Sequence, residues 1–372
     1  MTMPLAAAAP PRSPWQLFYG ALLARRRRRA RASAERLPVP VVSLGNLHWG
    51  GGGKTPFTAA LAADLTARGL AVAIVSRGYR RTSRGPLVVS LGDGPRVAWS
   101  AAGDEPFLLA QALPGVAVAV GEQRVAAARL LLRELPHSPD LFLLDDGFSH
   151  VALARDIDLL LFPAADPFAG GRLAPAGRLR EPLAAARHAD AVVLTGCPAS
   201  EMATAGSRLA AALTRHGFVG PGFASSSATG PPRSGIGASG TSGTSGASGT
   251  SGASGGIGAS SASSRALPAG TRVVAFAGIA RPEVFFRDVE RQEVEIAARL
   301  AFPDHHAYPD ESIARIEGAF RRHRADALLT TAKDALKLHG RLSPAPAVLP
   351  IVARPEAAFW EWFDERLARA LK

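Results

Sequence analysis

A glycine-rich loop between an apolar strand and a helix-forming segment constrains this chain more than any other feature. The loop, residues 45–56, reads GNLHWGGGGKTP. It follows the apolar run 39–44, which is typical of a buried strand, and precedes 57–65, where apolar residues recur at helical spacing. Strand, glycine loop and helix together favour phosphate binding, because backbone N–H groups and the positive end of the helix point at one anion.

The spelling of the loop departs from the standard G-x-x-x-x-G-K-[ST], since the first glycine is replaced by His48. A tight turn with an incidental Lys-Thr is the alternative, but four consecutive glycines carry a conformational-entropy cost that suggests close approach of a ligand. Lys54 would reach the β- and γ-phosphates, and the Thr55 hydroxyl would coordinate Mg²⁺. The predicted ATP-binding residues are His48, Trp49, Gly50, Gly51, Gly52, Gly53, Lys54 and Thr55.

Strands and helices alternate through the first 220 residues, which predicts an α/β fold with a mostly parallel sheet covered by helices. Further strands are predicted at 71–76, 116–120, 141–144, 157–162, 191–195 and 272–278. Serine, glycine and threonine dominate 222–268, as in a flexible, disordered linker. We therefore predict four segments: a basic amphipathic helix (1–35), a nucleotide-binding domain (36–221), the linker (222–268), and a smaller α/β domain (269–372) that ends in a helix from about 355 to 371.

The net charge of +12 suits nucleic acid, anionic lipid or a phosphorylated substrate. We predict no nucleic-acid partner, because basic residues interleaved with aromatics occur only at 15–31. The single cysteine, Cys197, excludes an intrachain disulfide and fits a reducing cytosol. No apolar stretch reaches 18 residues, so no transmembrane helix is predicted, and the arginines follow the first apolar run instead of preceding it as in a signal peptide.

The N-terminal segment has its own pattern. Apolar and aromatic residues fall on one helical face, at Trp15, Phe18, Tyr19, Leu22 and Leu23, and arginines follow at 25–29 and 31. This pattern is typical of a helix on an anionic membrane surface. A helix packed on the domain with solvated arginines explains it as well, and both interpretations can hold together.

Two adjacent carboxylates end the predicted strand at 141–144. Asp145 and Asp146 form a Walker-B-like pair, which can hold, directly or through water, the Mg²⁺ that Thr55 also meets. A turn residue that caps the next segment is the alternative.

Several strings now resemble one family in their order along the chain. They are SLGNLHWGGGGKTP, SRGYRR, GDEP, DDGFSH, GRLREP, AFAGIARPEVFF, FPDHHAY and TTAKDALK. The order is similar to that of the tetraacyldisaccharide 4′-kinases, whose loops also end GGxGKTP without the distant glycine. Two departures are Ser149, where the family usually has glutamine, and Gly52, where threonine or serine is common.

The resemblance implies a fold, an activity and a location. The fold would have two Rossmann-like, P-loop-type α/β/α lobes, with the N-terminal lobe larger. The activity would be ATP- and Mg²⁺-dependent phosphorylation of the 4′-hydroxyl of an acylated glucosamine disaccharide 1-phosphate, giving lipid IVA in lipid A biosynthesis. The protein would be a monomer bound peripherally to the cytoplasmic face of the inner membrane.

The resemblance also implies roles for individual residues. Asp104 and His305 would accept the hydroxyl proton together, with His306, Asp304 or a structural histidine as alternatives and a turn role open for Asp104. Four further residues would lie in the active cleft or bind anionic groups of ATP or substrate: Arg77, Arg124, Arg180 and Glu181. A deviant P-loop ATPase of the partitioning or targeting class is the competing function, although that class has a signature lysine where this chain has Trp49.

Overall fold

The computed structural model describes residues 14–49, 53–234 and 265–372. These residues form two units. The first comprises the chain up to Ala228 together with Ile351–Lys372, and the second comprises Thr229–Pro350. Each unit is built around its own β-sheet.

The sheet of the first unit has nine described strands: β1 (Val41–Gly45), β2 (Val72–Ser76), β3 (Leu87–Leu91), β4 (Ala117–Val120), β5 (Leu141–Asp145), β6 (Ile157–Pro163), β7 (Ala191–Thr195), β8 (Gly222–Thr229) and β15 (Ile351–Pro355). Their order is β15-β8-β7-β6-β1-β5-β2-β4-β3. The strands from β8 to β4 pair in parallel, and β3 runs antiparallel to β4. All residues of β1, β2, β5 and β6 are buried, as expected for continuous apolar runs in a parallel sheet covered on both faces.

The helices of the first unit lie between and after these strands. They are α1 (Pro14–Ala32), α2 (Lys54–Ala67), α3 (Trp99–Ala102), α4 (Asp104–Ala112), α5 (Arg124–Glu134), α6 (Met202–Thr214) and α10 (Ala357–Ala370), with short 3₁₀ turns at Ala169–Gly171, Leu183–His188 and Ala199–Glu201. Helix α2 buries Phe57, Leu61 and Leu65, which recur every four residues along one face.

The second unit has six described strands and three described helices. The strands are β9 (Arg233–Ser234), β10 (Arg265–Ala266), β11 (Thr271–Ala277), β12 (Val294–Ala301), β13 (Ala327–Thr330) and β14 (Ala347–Val348), in the order β10-β9-β14-β13-β11-β12. The helices are α7 (Pro282–Glu290), α8 (Asp310–Arg322) and α9 (Ala332–Lys337). Strands β14, β13, β11 and β12 are parallel, so this unit too has one edge at which their carboxyl ends meet.

The predicted α/β class and the predicted strands are confirmed. The end of the chain differs from the prediction, because residues 351–372 belong to the first unit and not to the second domain. Helix α10 buries Phe359, Phe363 and Leu367 at four-residue spacing, and the ring centroid of Phe359 lies 5.3 Å from that of Phe57 in α2. Strand β8 also begins at Gly222, inside the predicted linker, whereas linker residues 235–264 lie outside the described residues, as do residues 1–13 of the predicted N-terminal helix.

Candidate active site

The carboxyl edge of the larger sheet brings several predicted site residues together. Strands β1, β5 and β2 are parallel neighbours, so their carboxyl ends lie on one edge. The glycine-rich loop follows β1, Asp145 is the last residue of β5, and Ser76 is the last residue of β2. Open parallel sheets bind their ligands at this edge.

Gly53 marks the point at which the glycine-rich loop becomes helix α2. Its φ of 72° lies in the left-handed region, which glycine adopts without steric cost, and a Cβ there would lie 3.0 Å from Thr195 Oγ1. Lys54 is the first helical residue, its Nζ lies 3.7 Å from Asp146 Oδ1, and Thr55 follows in the same turn. The predicted ligands Gly50, Gly51 and Gly52 lie outside the described residues.

His48 and Trp49, which precede the glycines, are held against a neighbouring loop. The Trp49 N–H donates to the Arg178 carbonyl at 2.8 Å, and the Arg180 N–H donates to the Leu47 carbonyl at 2.8 Å. Burial lowers the pKa of His48 to about 4, so its ring is neutral at pH 7. His48 therefore brings a packed imidazole, and no charge, to the position of the missing glycine.

Asp145 is fully buried at the tip of β5. One of its carboxylate oxygens accepts the Thr58 hydroxyl at 3.3 Å, and the other accepts the Ser76 hydroxyl at 3.2 Å. Burial and the nearby charges of Glu105 and Asp146 raise the pKa of Asp145 to about 7. The charge of Lys54 and the hydrogen bond from Ser76 offset this effect only in part, so a bound cation would further stabilise the ionised carboxylate.

Asp146, the next residue, has the opposite environment. Its φ is 54°, and its carboxylate accepts two hydrogen bonds from Arg180, Nη1 to Oδ2 at 3.0 Å and Nη2 to Oδ1 at 2.5 Å. Burial opposes ionisation, but Arg180 and Lys54 outweigh it and hold the pKa of Asp146 well below its ordinary value. Asp146 is therefore ionised at pH 7 and already engaged by cationic side chains.

Arginines concentrate positive charge around this pair. Arg180 also donates from Nε and Nη2 to the Asn46 carbonyl, at 3.1 Å and 2.8 Å. Arg124, the first residue of α5, is buried and donates to the Asp146 carbonyl at 3.4 Å. Burial lowers the pKa of Arg124 to about 10 against the attraction of Asp146, and the charge of Arg77 acts in the same direction as burial. Arg124 is still charged at pH 7. Together with Arg180 and Arg77, it makes three predicted arginines at this edge of the sheet.

Glu181, predicted in the cleft beside Arg180, pairs with helix α1. Its Oε2 accepts the Arg27 Nη1 at 3.0 Å, and both side chains are buried. The Arg27 guanidinium carbon also lies 4.2 Å from the centroid of the Phe148 ring. Sequence analysis missed this role of Arg27, because nothing in a run of five arginines indicates which one is buried.

Asp104 begins helix α4, directly after Gly103, whose φ is 90°. A Cβ on Gly103 would lie 3.1 Å from the Cα of Gly78, so α4 starts close against the loop after β2. The Asp104 Oδ1 accepts the backbone N–H of Glu105 at 3.0 Å. Glu105 was not among the predicted site residues, although GDEP contains it. The charge of its carboxylate contributes to the raised pKa of Asp145.

His305 and His306 have different surroundings in the second unit. The His306 ring stacks on Phe302 at 5.0 Å between centroids, and its Nε2 hydrogen-bonds the Ser312 hydroxyl at 2.8 Å. The Nε2 of His305 lies 3.9 Å from an Asp304 carboxylate oxygen. The prediction that His305, and not His306, acts with Asp104 stays a prediction, as does their pairing.

Helix α1 combines packed and exposed side chains. Tyr19 packs against the core of the first unit and stacks on Trp15 at 5.8 Å, whereas Trp15, Phe18 and Leu22 are each more than half exposed. Both interpretations of this segment therefore have support from the helix. Among the residues that the structure describes, no helix has the length and apolar character needed to cross a membrane.

Comparison with known proteins gives a consistent result. The profile of the family described as Tetraacyldisaccharide-1-P 4′-kinase matches residues 11–368. The protein from Pelobacter propionicus named Tetraacyldisaccharide 4′-kinase is 40% identical over 313 residues, covering 82% of this chain and 76% of its own. A protein of the same name from Chromobacterium violaceum is 36% identical over 363 residues, covering 95% of this chain and 93% of its own.

A solved structure is similar as well. The crystal structure of LpxK from Aquifex aeolicus in complex with ATP superposes with a TM-score of 0.69 and 30% sequence identity. The match covers 96% of this chain and 98% of that protein.

Proposed function

Because the chain belongs to the tetraacyldisaccharide-1-P 4′-kinase family, we propose that it transfers the γ-phosphate of ATP to the 4′-hydroxyl of a tetraacylated glucosamine disaccharide 1-phosphate, giving lipid IVA. The observation that carries the proposal is the match to the family over nearly the whole chain, together with a phosphate-binding loop and buried carboxylates at one edge of a parallel sheet. The related structure from Aquifex aeolicus contains ATP, which supports the nucleotide.

The nucleotide's phosphates are bound by the loop that ends at Gly53 and by the N-terminus of α2. Lys54 reaches the β- and γ-phosphates, and Asp146 lies 3.7 Å from its ammonium group. Arg124 and Arg77 add positive charge for the anionic groups of ATP or substrate. Arg180 fixes the orientation of the Asp146 carboxylate through two parallel hydrogen bonds.

The residues present suit Mg²⁺. Kinases hold this ion with one or two carboxylates, together with waters and the phosphates of the substrate. One or two protein carboxylates are therefore enough for a magnesium site here. Thr55 supplies the hydroxyl and Asp145 the carboxylate, with Glu105 and Asp146 close enough to perturb Asp145 electrostatically. Asp145 is the favoured ligand of the predicted pair, because Asp146 is already paired with the cationic Arg180 and Lys54. The Asp145 oxygens accept hydrogen bonds from the neutral hydroxyls of Thr58 and Ser76. Bound Mg²⁺ would neutralise the charge that develops on the phosphates.

Proton removal from the sugar hydroxyl is the task of Asp104 and His305. A carboxylate beside an imidazole can accept the hydroxyl proton and hold the ring in one tautomer. His305 is favoured over His306, because the His306 ring is stacked on Phe302 and its Nε2 is bonded to Ser312. The two proposed base residues come from different units of the chain.

The exposed apolar side chains of α1 suit a membrane surface, where an acylated substrate would also lie. We propose that Trp15, Phe18 and Leu22 enter the interfacial layer of the inner membrane's cytoplasmic face, and that the exposed arginines after them meet anionic lipid head groups. The protein would bind there peripherally, as a monomer.

Transfer of labelled γ-phosphate from ATP to the disaccharide substrate tests the proposed activity. We expect the label to enter the lipid fraction only with Mg²⁺ and substrate present, and the Lys54→Ala variant to serve as the inactive control. Release of labelled inorganic phosphate at a rate that does not depend on the disaccharide would instead favour an ATPase of the partitioning or targeting class.

A further inference from the structure

The second unit contains a buried carboxylate to which the proposed reaction gives no role. Asp334 has no solvent exposure and lies in α9, within the string TTAKDALK. A buried carboxylate is unfavourable unless it is hydrogen-bonded, so its partners indicate what it holds in place.

Asp334 joins helix α9 to the end of strand β11. Its Oδ2 accepts the backbone N–H of Gly278 at 2.9 Å and the Thr331 hydroxyl at 2.8 Å. The Thr331 hydroxyl in turn caps α9 by accepting the Asp334 N–H at 3.2 Å. Gly278 directly follows β11, so the carboxylate fixes the point at which the chain leaves the sheet.

The carbonyl group of the same glycine holds the loop that carries His305. The Gly278 carbonyl accepts the His305 N–H at 3.1 Å. Lys337, whose Nζ lies 3.9 Å from Asp334 Oδ1, donates to the His306 carbonyl at 3.2 Å. Asp334 is therefore connected to the backbone of His305 through Gly278, and to the backbone of His306 through Lys337.

The space around Gly278 leaves little freedom for this loop. A Cβ on Gly278 would lie 2.8 Å from the hydroxyl of Tyr308 and 3.1 Å from Asp334 Oδ1. Tyr308 is fully buried, and burial together with the charge of Asp334 raises its pKa far above the ordinary value, so its phenol stays protonated. His305 has a φ of 59°, a conformation that is disfavoured for a residue with a Cβ and persists only when its surroundings fix it.

We propose that Asp334 is a positioning residue, which holds the 302–308 loop on the end of β11 so that His305 presents its imidazole in one orientation. This inference rests on the proposed function in one respect only, the role of His305 in the transfer. Its structural half, that Asp334 fixes the backbone at His305, is independent of any activity.

Asp326, an exposed residue just before β13, offers a control that also anchors β11. Its Oδ2 accepts the backbone N–H of Arg272 at 2.9 Å, the same kind of bond at the amino end of β11. Asp334→Asn and Asp326→Asn each replace a carboxylate that anchors β11, but only the first touches the His305 loop. Comparison of the two variants therefore separates loop positioning from general support of the strand.

Amide hydrogen exchange of a peptide spanning 303–308, measured well below the melting temperature, is the first readout. We expect exchange to accelerate in Asp334→Asn and to stay unchanged in Asp326→Asn. The second readout is the rate constant kcat, which should fall by about 10- to 100-fold in Asp334→Asn, as for other outer-shell supports, with little change in the KM for ATP. Unchanged exchange and unchanged kcat in a folded Asp334→Asn protein would overturn the proposal.

Two further variants keep the outcome decisive. If Asp334→Asn does not fold, Lys337→Met removes the bond to the His306 carbonyl while leaving Asp334 in place, and we expect smaller changes of the same sign; none at all would count against the proposal. His305→Ala separates the hypothesis that His305 acts in the transfer from the hypothesis that Asp334 positions its loop. If it retains full kcat, the proposed role of His305 fails, and faster exchange in Asp334→Asn would still support the positioning contact. If His305→Ala is impaired, adding Asp334→Asn should lower kcat little further.

Discussion

At the scale of single residues, Asp145 and Asp146 show that two adjacent carboxylates can have very different pKa values. Burial and the neighbouring carboxylates Glu105 and Asp146 raise the pKa of Asp145, whereas Arg180 and Lys54 lower the pKa of Asp146. The sequence predicts the pair, because an apolar strand ends there. It cannot predict the division of tasks, since that depends on which distant residues the fold brings to each side chain.

The environment of Asp145 predicts a pH dependence of stability. Its pKa rises on folding to about 7, so the native protein binds more protons than the unfolded chain between about pH 4 and pH 7, and this group lowers stability as pH rises through that window. Asp145→Asn removes the effect. Without Mg²⁺ or nucleotide, the melting temperature of Asp145→Asn relative to the parent should therefore be higher at about pH 8 than at about pH 5. A difference that is the same at both pH values would show that Asp145 is not perturbed.

The first turn of α2 gives a prediction about catalysis. Lys54→Ala removes the ammonium group for the phosphates, and we expect kcat to fall by at least about 100-fold. Thr55→Ala should act through the metal, so part of its lost activity should return as Mg²⁺ is raised, which should not happen for Lys54→Ala. Titration of kcat with Mg²⁺ in both variants measures this, and wild-type activity in either at ordinary Mg²⁺ would contradict the site.

At the scale of elements, the sequence predicts best where periodicity is strong. The core strands and α2 follow from apolar runs and helical spacing. Strand β8 was missed because its serine-rich sequence resembles the linker. Helix α10 was assigned to the wrong unit, because its apolar face indicates that the helix is buried but not which unit it packs against. The buried Arg27 and the influence of Glu105 on Asp145 could not be predicted, since both depend on segments that are far apart in sequence.

Helix α1 supports a prediction about membrane binding. Deleting residues 1–31 would also remove Arg27 and leave Glu181 buried without its partner, so substitution is the cleaner test. Changing Trp15, Phe18 and Leu22 together to serine should lower recovery on anionic vesicles at least about tenfold, because each apolar side chain contributes on the order of 1 kcal/mol or more at the interface.

Activity on detergent-dispersed substrate should change much less in this triple variant. Val219→Ser, which changes an exposed apolar residue outside α1, is the control and should float like the parent. Equal flotation of the triple variant and the parent would remove the membrane role of this face.

At the scale of the whole molecule, the two residues of the proposed base belong to different units of the chain, Asp104 to the first and His305 to the second. If they act as one proton acceptor, either change to alanine should lower kcat by about 10²–10⁴-fold and leave the KM for ATP nearly unchanged. The double variant should then be little worse than the poorer single variant. Fully multiplicative losses would indicate separate roles, for example Asp104 at the metal and His305 at the substrate.

The position of the new phosphate tests the central claim most directly. The claim is that this chain phosphorylates one hydroxyl of an acylated disaccharide that already carries a 1-phosphate. Phosphorus–proton correlation NMR of the purified product should show a new phosphomonoester coupled to the proton on C4′, with the 1-phosphate retained. A phosphate on any other carbon, or free phosphate as the sole product, would contradict the account.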